Sequence, residues 1–189
     1  MLQPPVFTDF KPLVTRAGRR VVKNALVREG SSYRMDLDEL AEVTRPDDVR
    51  LLILCNPHNP VGRVWTADEL AGVAQVCAAN DVVVIATTAS GVRWAATHGP
   101  IKTFGLAGVC DTLLISPDAE ITERFRDASS RFHLTRNNVF ALAAFEAAYR
   151  DGDAWVDSLL ADVAANLGIL RSELPEPLSV SDHQATYLA

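Results

Sequence analysis

The 189-residue sequence contains few cysteines, and they are not arranged as a framework. Cys55, Cys77 and Cys110 are odd in number and form no Cys-x-x-Cys pair. This argues against structural disulfides and favours a reducing compartment, so we predict a cytoplasmic protein. Each cysteine is predicted to be a small core residue rather than a nucleophile.

Several other signals are missing. No charged start followed by an apolar stretch indicates a signal peptide, and no apolar run is long enough to cross a bilayer. No Gly-x-Gly-x-x-Gly run or phosphate loop supports a nucleotide site. His58, His133 and His183 lack metal-ligand spacing, so we predict no metal site and place these rings at the surface or at helix ends.

The charge balance bears on partners. The formal net charge is −6, which argues against a general nucleic-acid binder because phosphate contacts require clustered cations. Hydrophobic residues make up 48% of the chain and charged residues 22%, an ordinary globular composition. At this length we predict a single domain with a substantial core over residues 1–189.

Periodicity and capping signals predict a βαβ unit in the first half of the chain. Before residue 50 they predict a helix from Phe7 to Val14 ended by Gly18, a strand over 21–27 and a polar turn over 28–34. A helix capped by Asp36 with Glu39 and ended by Pro46 follows. After it they predict a strand over 50–55, a helix opened by Thr66 and Glu69, and a strand over 82–85.

The pattern is weaker beyond residue 90. It predicts a third parallel strand over 111–116, a helix starting near Asp118 or Ala119, helices over 139–149 and 155–174, and a strand beginning at 185–189. The fold class is therefore α/β, with a mostly parallel sheet flanked by helices.

The most specific motif follows the apolar strand at 51–55. The run from Asn56 to Trp65 reads Asn-Pro-His-Asn-Pro-Val-Gly-Arg-Val-Trp, which places polar side chains at the carboxyl edge of the sheet, where α/β proteins bind ligands. The run resembles the Asn-Pro-x-Asn-Pro-x-Gly loop of fold-type I enzymes that use pyridoxal 5′-phosphate (PLP). With the residues that follow, it is most similar to the MalY/PatB branch of carbon–sulfur β-lyases within the class I/II aminotransferases.

The resemblance extends over nearly the whole chain, which looks like a partial large domain of that fold. It implies that the N-terminal arm, with its phosphate-holding turn, lies before Met1 and that the C-terminal small domain follows Ala189. It also implies that Asn59 hydrogen-bonds the 3′-hydroxyl of the cofactor. Gln3 to Phe7 is similar to the segment whose aromatic ring stacks on the cofactor, so Phe7 is the implied ring clamp.

The chain has only three lysines, and PLP enzymes need one to form a Schiff base. Ile101 to Val109 reads Ile-Lys-Thr-Phe-Gly-Leu-Ala-Gly-Val, similar to the family run Ser-Lys-Thr-Phe-Asn-Leu-Ala-Gly-Leu, which makes Lys102 the implied Schiff-base lysine. A second alignment remains open. It matches His98-Gly99-Pro100 to an upstream turn of the family and leaves Ala119 at the lysine position.

Two further positions depart from the family. Thr87 stands where the family has the aspartate that pairs with the pyridine nitrogen, and Cys110 replaces the expected basic phosphate contact. A carboxylate keeps that nitrogen protonated, whereas a hydroxyl can only hydrogen-bond it. Thr87 is therefore an implied cofactor contact of a weakened site, in which transamination suffers more than β-elimination.

The resemblance implies a PLP-dependent carbon–sulfur β-lyase of the cystathionine or cysteine-conjugate type, or a related aminotransferase. Its substrate would be a small amino-acid thioether, and the expected assembly is a homodimer or a complex with a partner chain that supplies the missing segments. The alternative is a non-catalytic truncated relative, acting as a binding partner or remaining as the remnant of a split gene.

Overall fold

The computed structural model describes residues 1–85, 92–109, 111–134 and 137–187. The helices of this part of the chain are α1 (Phe10–Arg16), α2 (Leu37–Thr44), α3 (Ala67–Ala79), α4 (Ala119–Arg131), α5 (Val139–Asp151) and α6 (Asp153–Glu173). Its strands are β1 (Val27–Glu29), β2 (Ser32–Arg34), β3 (Leu51–Ile53), β4 (Val83–Ile85), β5 (Trp94–His98) and β6 (Leu113–Ile115).

The chain divides into two compact units. The first contains Met1–Ala95 with Leu174–Ala189, and the second contains Ala96–Glu173. That residues 1–189 form one partial large domain stays a prediction.

The first unit contains the predicted βαβ arrangement. β3 pairs in parallel with β4, and α3 connects the two strands. The first residues of β5 extend the parallel pairing on the other side of β4, with Trp94 opposite Val84. Leu2 adds single parallel bridges to Lys23 and to Ile53. The prediction of a mostly parallel sheet with helices is confirmed.

The core of this unit lies between the sheet and the helices α2 and α3. Apolar side chains from the strands, the helices and their connections form this core. Those with almost no exposed surface are Leu40, Leu52, Val73, Val82 and Val84. Burial of one such side chain contributes roughly 1.5–3 kcal/mol, so this cluster is the main source of the unit's stability.

Helices α2 and α3 both begin with side-chain caps. Thr66 and Glu69 form a complete capping box at α3, as predicted. At α2 the Asp36 side chain accepts from the Glu39 N–H as predicted, but the Glu39 carboxylate accepts from Asn24 Nδ2 at 2.8 Å. Only half of the predicted capping box is therefore present there, because the buried Asn24 needs an acceptor.

The prediction for residues 21–34 was wrong in detail. The strand lies over Val27–Glu29 and forms an antiparallel hairpin with Ser32–Arg34, where a polar turn was expected. Gly30 has a φ of +61°, which allows the chain to reverse within two residues. The sequence did not predict the hairpin because its strands carry mostly polar side chains. This composition agrees with the structure, in which both strands are exposed or half-buried.

The second unit corrects the predicted third parallel strand. The last residues of β5 pair antiparallel with β6, so that Thr97 lies opposite Leu114. A parallel pair requires a long crossover, usually a helix, and the described residues between β5 and β6 contain only turns. The three predicted helices are confirmed, and Asp118 caps α4 by accepting from the Ile121 N–H.

The end of the chain also differs from the prediction. Residues 185–187 form a bend rather than a strand, and residues 188 and 189 lie outside the described residues. Within the described part of the chain, no helix is long and apolar enough to cross a membrane.

Candidate functional site

The motif loop over 56–65 begins three residues after the end of β3, at the carboxyl edge of the parallel strands. Asn59 lies in it and is half-buried. Among the hydrogen bonds between described residues, none uses the Asn59 side-chain amide, so this amide can bind a ligand. The position agrees with the usual ligand edge of such sheets.

The loop is closed by two short backbone hydrogen bonds. The His58 N–H donates to the Arg63 carbonyl at 2.7 Å, and the Gly62 N–H donates to the His58 carbonyl at 2.8 Å. Gly62 has a φ of +71°, which a residue with a side chain rarely adopts. The tight turn therefore requires glycine here and fixes the residues between His58 and Gly62.

Trp65 anchors the loop in the core. Its indole N–H donates to the Cys55 carbonyl at 3.0 Å, and its backbone N–H donates to Asn56 Oδ1 at 3.1 Å. Only 3% of its surface is exposed. The end of the loop is thus tied to the residues that precede it.

His58 is fully buried, which corrects its predicted place at the surface or at a helix end. Its Nε2 lies 3.0 Å from the Pro5 carbonyl oxygen, and because a carbonyl only accepts, Nε2 carries the proton. Its ring packs edge-on against Trp65 with centroids 5.4 Å apart. Burial lowers the pKa of His58 below its ordinary value, against the weaker opposing effect of the Pro5 carbonyl.

Arg63 connects the loop to three other parts of the unit. Its Nε donates to the Tyr33 carbonyl at 2.9 Å, and its Nη2 lies 2.6 Å from Glu69 Oε1. Its guanidinium carbon lies 4.9 Å from the centroid of the Trp65 ring. Its Nη1 donates to Gln184 Oε1 at 2.9 Å. No local pattern in the sequence links Arg63 to Gln184, so no function was predicted for this pair.

Phe7 belongs to the same unit as Asn59. It is 37% exposed and packs edge-on against Phe10, with ring centroids 5.5 Å apart. The contact of His58 with Pro5 joins the segment that carries Phe7 to the motif loop. Phe7 also lines a cavity of about 220 Å³ with other residues, which are Leu2, Pro4, Val6, Thr8, Lys11, Val21 and Lys23.

Lys102 lies in the second unit, in a turn that follows β5, and its side chain is exposed. The turn is held by its neighbours, since the Phe104 N–H donates to the Pro100 carbonyl at 3.0 Å. The Trp155 indole N–H donates to the Thr103 carbonyl at 3.0 Å. Ala119, the alternative position, is the exposed first residue of α4.

The predicted site residues are thus distributed over both units. Phe7 and Asn59 share the first unit, and Lys102 belongs to the second. Thr87 and Cys110 lie outside the described residues. No cluster of three or more metal-binding side chains occurs in the ranges that the structure describes.

The first half of the chain is similar to a known protein family. Residues 1–89 match the family aminotransferase class I and II. The whole chain aligns with cystathionine beta-lyase PatB of Bacillus subtilis (strain 168), with 30% identity over 212 residues that cover 54% of that protein. It also aligns with protein MalY of Escherichia coli (strain K12), with 26% identity over 54% of that protein.

Solved structures show the same fold. A PLP-bound protein from Clostridium difficile 630, described as an aminotransferase, superposes with a TM-score of 0.87 at 30% identity. The match covers 99% of this chain and 54% of that chain. The PLP-bound C-S lyase from Staphylococcus hominis gives a TM-score of 0.78 at 23% identity, which shows the fold alone. The chain therefore spans about half the length of these relatives, and the predicted fold-type I resemblance is confirmed.

Proposed function

We propose that the chain is a segment of a PLP-dependent carbon–sulfur β-lyase of the cystathionine or cysteine-conjugate type, or of a related aminotransferase. The motif loop at the carboxyl edge of β3 carries this proposal, because it presents Asn59 where such sheets bind ligands. The Asn59 side-chain amide has no hydrogen-bond partner in the part of the chain that the structure describes. The alignment of the full chain with cystathionine beta-lyase PatB supports the lyase.

Three side chains of this chain offer groups that the cofactor needs. Asn59 offers an amide to a ring oxygen, and the partly exposed ring of Phe7 offers an aromatic face. Lys102 offers an exposed amine, for which no ion pair occurs among the described residues. An amide, an aromatic face and an amine are three of the groups that PLP chemistry needs.

When bound, PLP supplies an electron sink that allows a proton to leave Cα and a thiolate to leave Cβ of an amino acid. In this proposal Lys102 holds the cofactor through Nζ and afterwards accepts the Cα proton there. Asn59 orients the ring through its amide, and Phe7 limits the movement of the ring by stacking on it. The closed loop keeps Asn59 in one orientation.

Thr87 defines the expected weakness of the site. Its hydroxyl would hydrogen-bond the pyridine nitrogen without keeping it charged, so elimination of a good leaving group should survive better than transamination. If the threonine makes this contact, Thr87→Ala should abolish the remaining activity. An unchanged rate would contradict the role.

The substrate class is a small amino-acid thioether, and the location is the cytoplasm. The chain would act as a homodimer or with a partner chain that supplies the segments present in its longer relatives.

The test is an absorbance spectrum of the purified chain with added PLP, followed by borohydride reduction and peptide mapping. We expect a visible band and one reduced adduct, on Lys102. Lys102→Ala should lose both, while the matched control Lys23→Ala should keep them. The absence of a band, or label spread over Lys11 and Lys23, would contradict the proposal and favour the non-catalytic relative.

A further inference from the structure

Residues 181–186, named here the strap, contact the motif loop, although Ser181 and Val61 are 120 positions apart in the sequence. The backbone N–H groups of Gln184 and Ala185 both donate to the Gly62 carbonyl, at 2.8 and 3.0 Å. Ser181 Oγ donates to the Val61 carbonyl at 3.3 Å. All of these residues belong to the first unit.

The side chain of Gln184 extends the contact to the next two loop residues. Its Oε1 accepts from Arg63 Nη1 and from the Val64 N–H, both at 2.9 Å. One oxygen thus holds a side chain and a main-chain group of the loop. Because Gln184 itself is exposed, these bonds add little to the core and act mainly on the loop's geometry.

Two of the residues that the strap holds, Gly62 and Arg63, close the loop through hydrogen bonds with His58. Arg63 is paired with His58 through the His58 N–H bond of 2.7 Å, and Asn59 is the next residue after His58. A shift of the Arg63 backbone would therefore move His58 and change the direction of the Asn59 side chain. Displacements of about 1 Å at a contact of this kind are sufficient to cost 10²-fold in rate.

We infer that Gln184 is a positioning residue for Asn59, acting through Arg63 and Val64. The inference rests on the proposed function, because Asn59 is the proposed cofactor contact. The strap then has a role beyond packing: it supplies from a distant part of the sequence the acceptor that fixes the orientation of the motif loop.

The test compares two replacements of similar length. Gln184→Met removes the acceptor, and Gln184→Glu retains an acceptor oxygen. Asp182→Asn is the matched control, because the exposed Asp182 contacts Ser31 only through its backbone N–H. The first measurement is amide hydrogen exchange of His58 and Gly62 without cofactor, since neither N–H contacts Gln184.

We expect Gln184→Met to speed exchange at His58 and Gly62 by at least about tenfold, with the α3 amides of Val73 and Cys77 unchanged. Gln184→Glu and Asp182→Asn should behave as the parent chain. Unchanged exchange at His58 and Gly62 in Gln184→Met would overturn the inference, as would equal acceleration at Val73 and Cys77.

The second measurement is the dissociation constant for PLP. We expect Gln184→Met to weaken binding by about five- to tenfold and Gln184→Glu to restore it, since the acceptor that holds Arg63 and Val64 is lost and regained. Equal affinity in the parent and Gln184→Met would overturn the role toward Asn59. No PLP binding by the parent chain would overturn the proposed function and this role together. Unchanged amide exchange in Gln184→Met, with PLP binding by the parent chain intact, would overturn only the role of Gln184.

Discussion

The carboxylate of Glu69 binds Arg63 and also caps the start of helix α3. Arg63 Nη2 donates to Glu69 Oε1 at 2.6 Å, while Glu69 Oε2 accepts from the Thr66 backbone N–H at 2.7 Å. Both side chains are largely shielded, with 13% and 26% of their surface exposed. The motif loop and the first turn of α3 are therefore one hydrogen-bonded unit, and a change in either affects the other.

Glu69→Ala should destabilise the chain more than a surface substitution does. It removes half of the capping box and the partner of a shielded guanidinium, for a combined loss of about 2–3 kcal/mol. The measurement is urea unfolding followed by tryptophan fluorescence. Asp68→Ala is the control, since Asp68 is exposed in the same first turn and should cost only about 0.5 kcal/mol. Equal losses in the two variants would show that the shared carboxylate contributes nothing.

Gly62→Ala should be among the more damaging single-methyl additions. Gly62 has a φ of +71°, and an added Cβ would lie 2.6 Å from His183 Nδ1. Backbone strain and crowding together should cost about 2–4 kcal/mol. Gly30→Ala isolates the backbone part, because Gly30 has a φ of +61° with nothing within 4 Å of an added Cβ.

The crowding part of that loss can be separated by a second substitution. His183→Ala should relieve much of the penalty of Gly62→Ala, measured as the coupling in a double-mutant cycle of unfolding free energies. A Gly62→Ala variant no less stable than Gly30→Ala, or a coupling near zero, would show that the strap does not press on the loop.

The sequence was informative wherever a signal and its partner lie close together. Thr66 and Glu69 are three residues apart and form the predicted cap, and the strand, loop, helix and strand over 51–85 follow from local apolar runs. The fold class and the position of Asn59 at the carboxyl edge of β3 followed from that half alone.

The missed features depend on distant or weak signals. β5 and β6 are short and partly exposed, so no apolar run revealed their antiparallel pairing. Gln184 binds Arg63 across 121 positions, a distance that no local pattern encodes. The burial of His58 depends on the Pro5 carbonyl, which lies 53 residues away in the chain.

Stability should rise with pH across the range where His58 titrates. Burial lowers the pKa of His58 in the folded state from 6.5, so the unfolded state binds more protons between the two values. The free energy of unfolding therefore increases as pH rises to 6.5. Burial also lowers the pKa of the Met1 amine from 8.0, which continues the increase to pH 8.0.

The measurement for this prediction is the urea midpoint at several pH values from about 5.5, above the range of ordinary carboxylates. His58→Gln is the informative comparison, because an amide can donate to the Pro5 carbonyl and does not titrate. This variant should lose the part of the slope below pH 6.5 and keep the part above it. Identical slopes in both proteins would exclude His58 as the source.

Cys77 should be the least reactive of the described thiols. It is fully buried, and burial raises its pKa to about 11. Cys55 is half-buried with a pKa that burial also raises, and its Sγ donates to the Pro57 carbonyl at 3.4 Å. Because alkylation requires the thiolate, we expect iodoacetamide at about pH 8 to label Cys77 at least 10²-fold more slowly than in urea.

Peptide mapping by mass spectrometry measures both thiols in one sample, with the urea-unfolded chain as the control in which they react alike. Native labelling of Cys77 as fast as that of Cys55 would contradict its place in the core.

The raised pKa of Cys77 should also make stability depend on pH, because the folded thiol keeps its proton where the unfolded one loses it. Above the ordinary thiol value of 9.0 the free energy of unfolding should therefore fall as pH rises, and Cys77→Ala should reduce that fall.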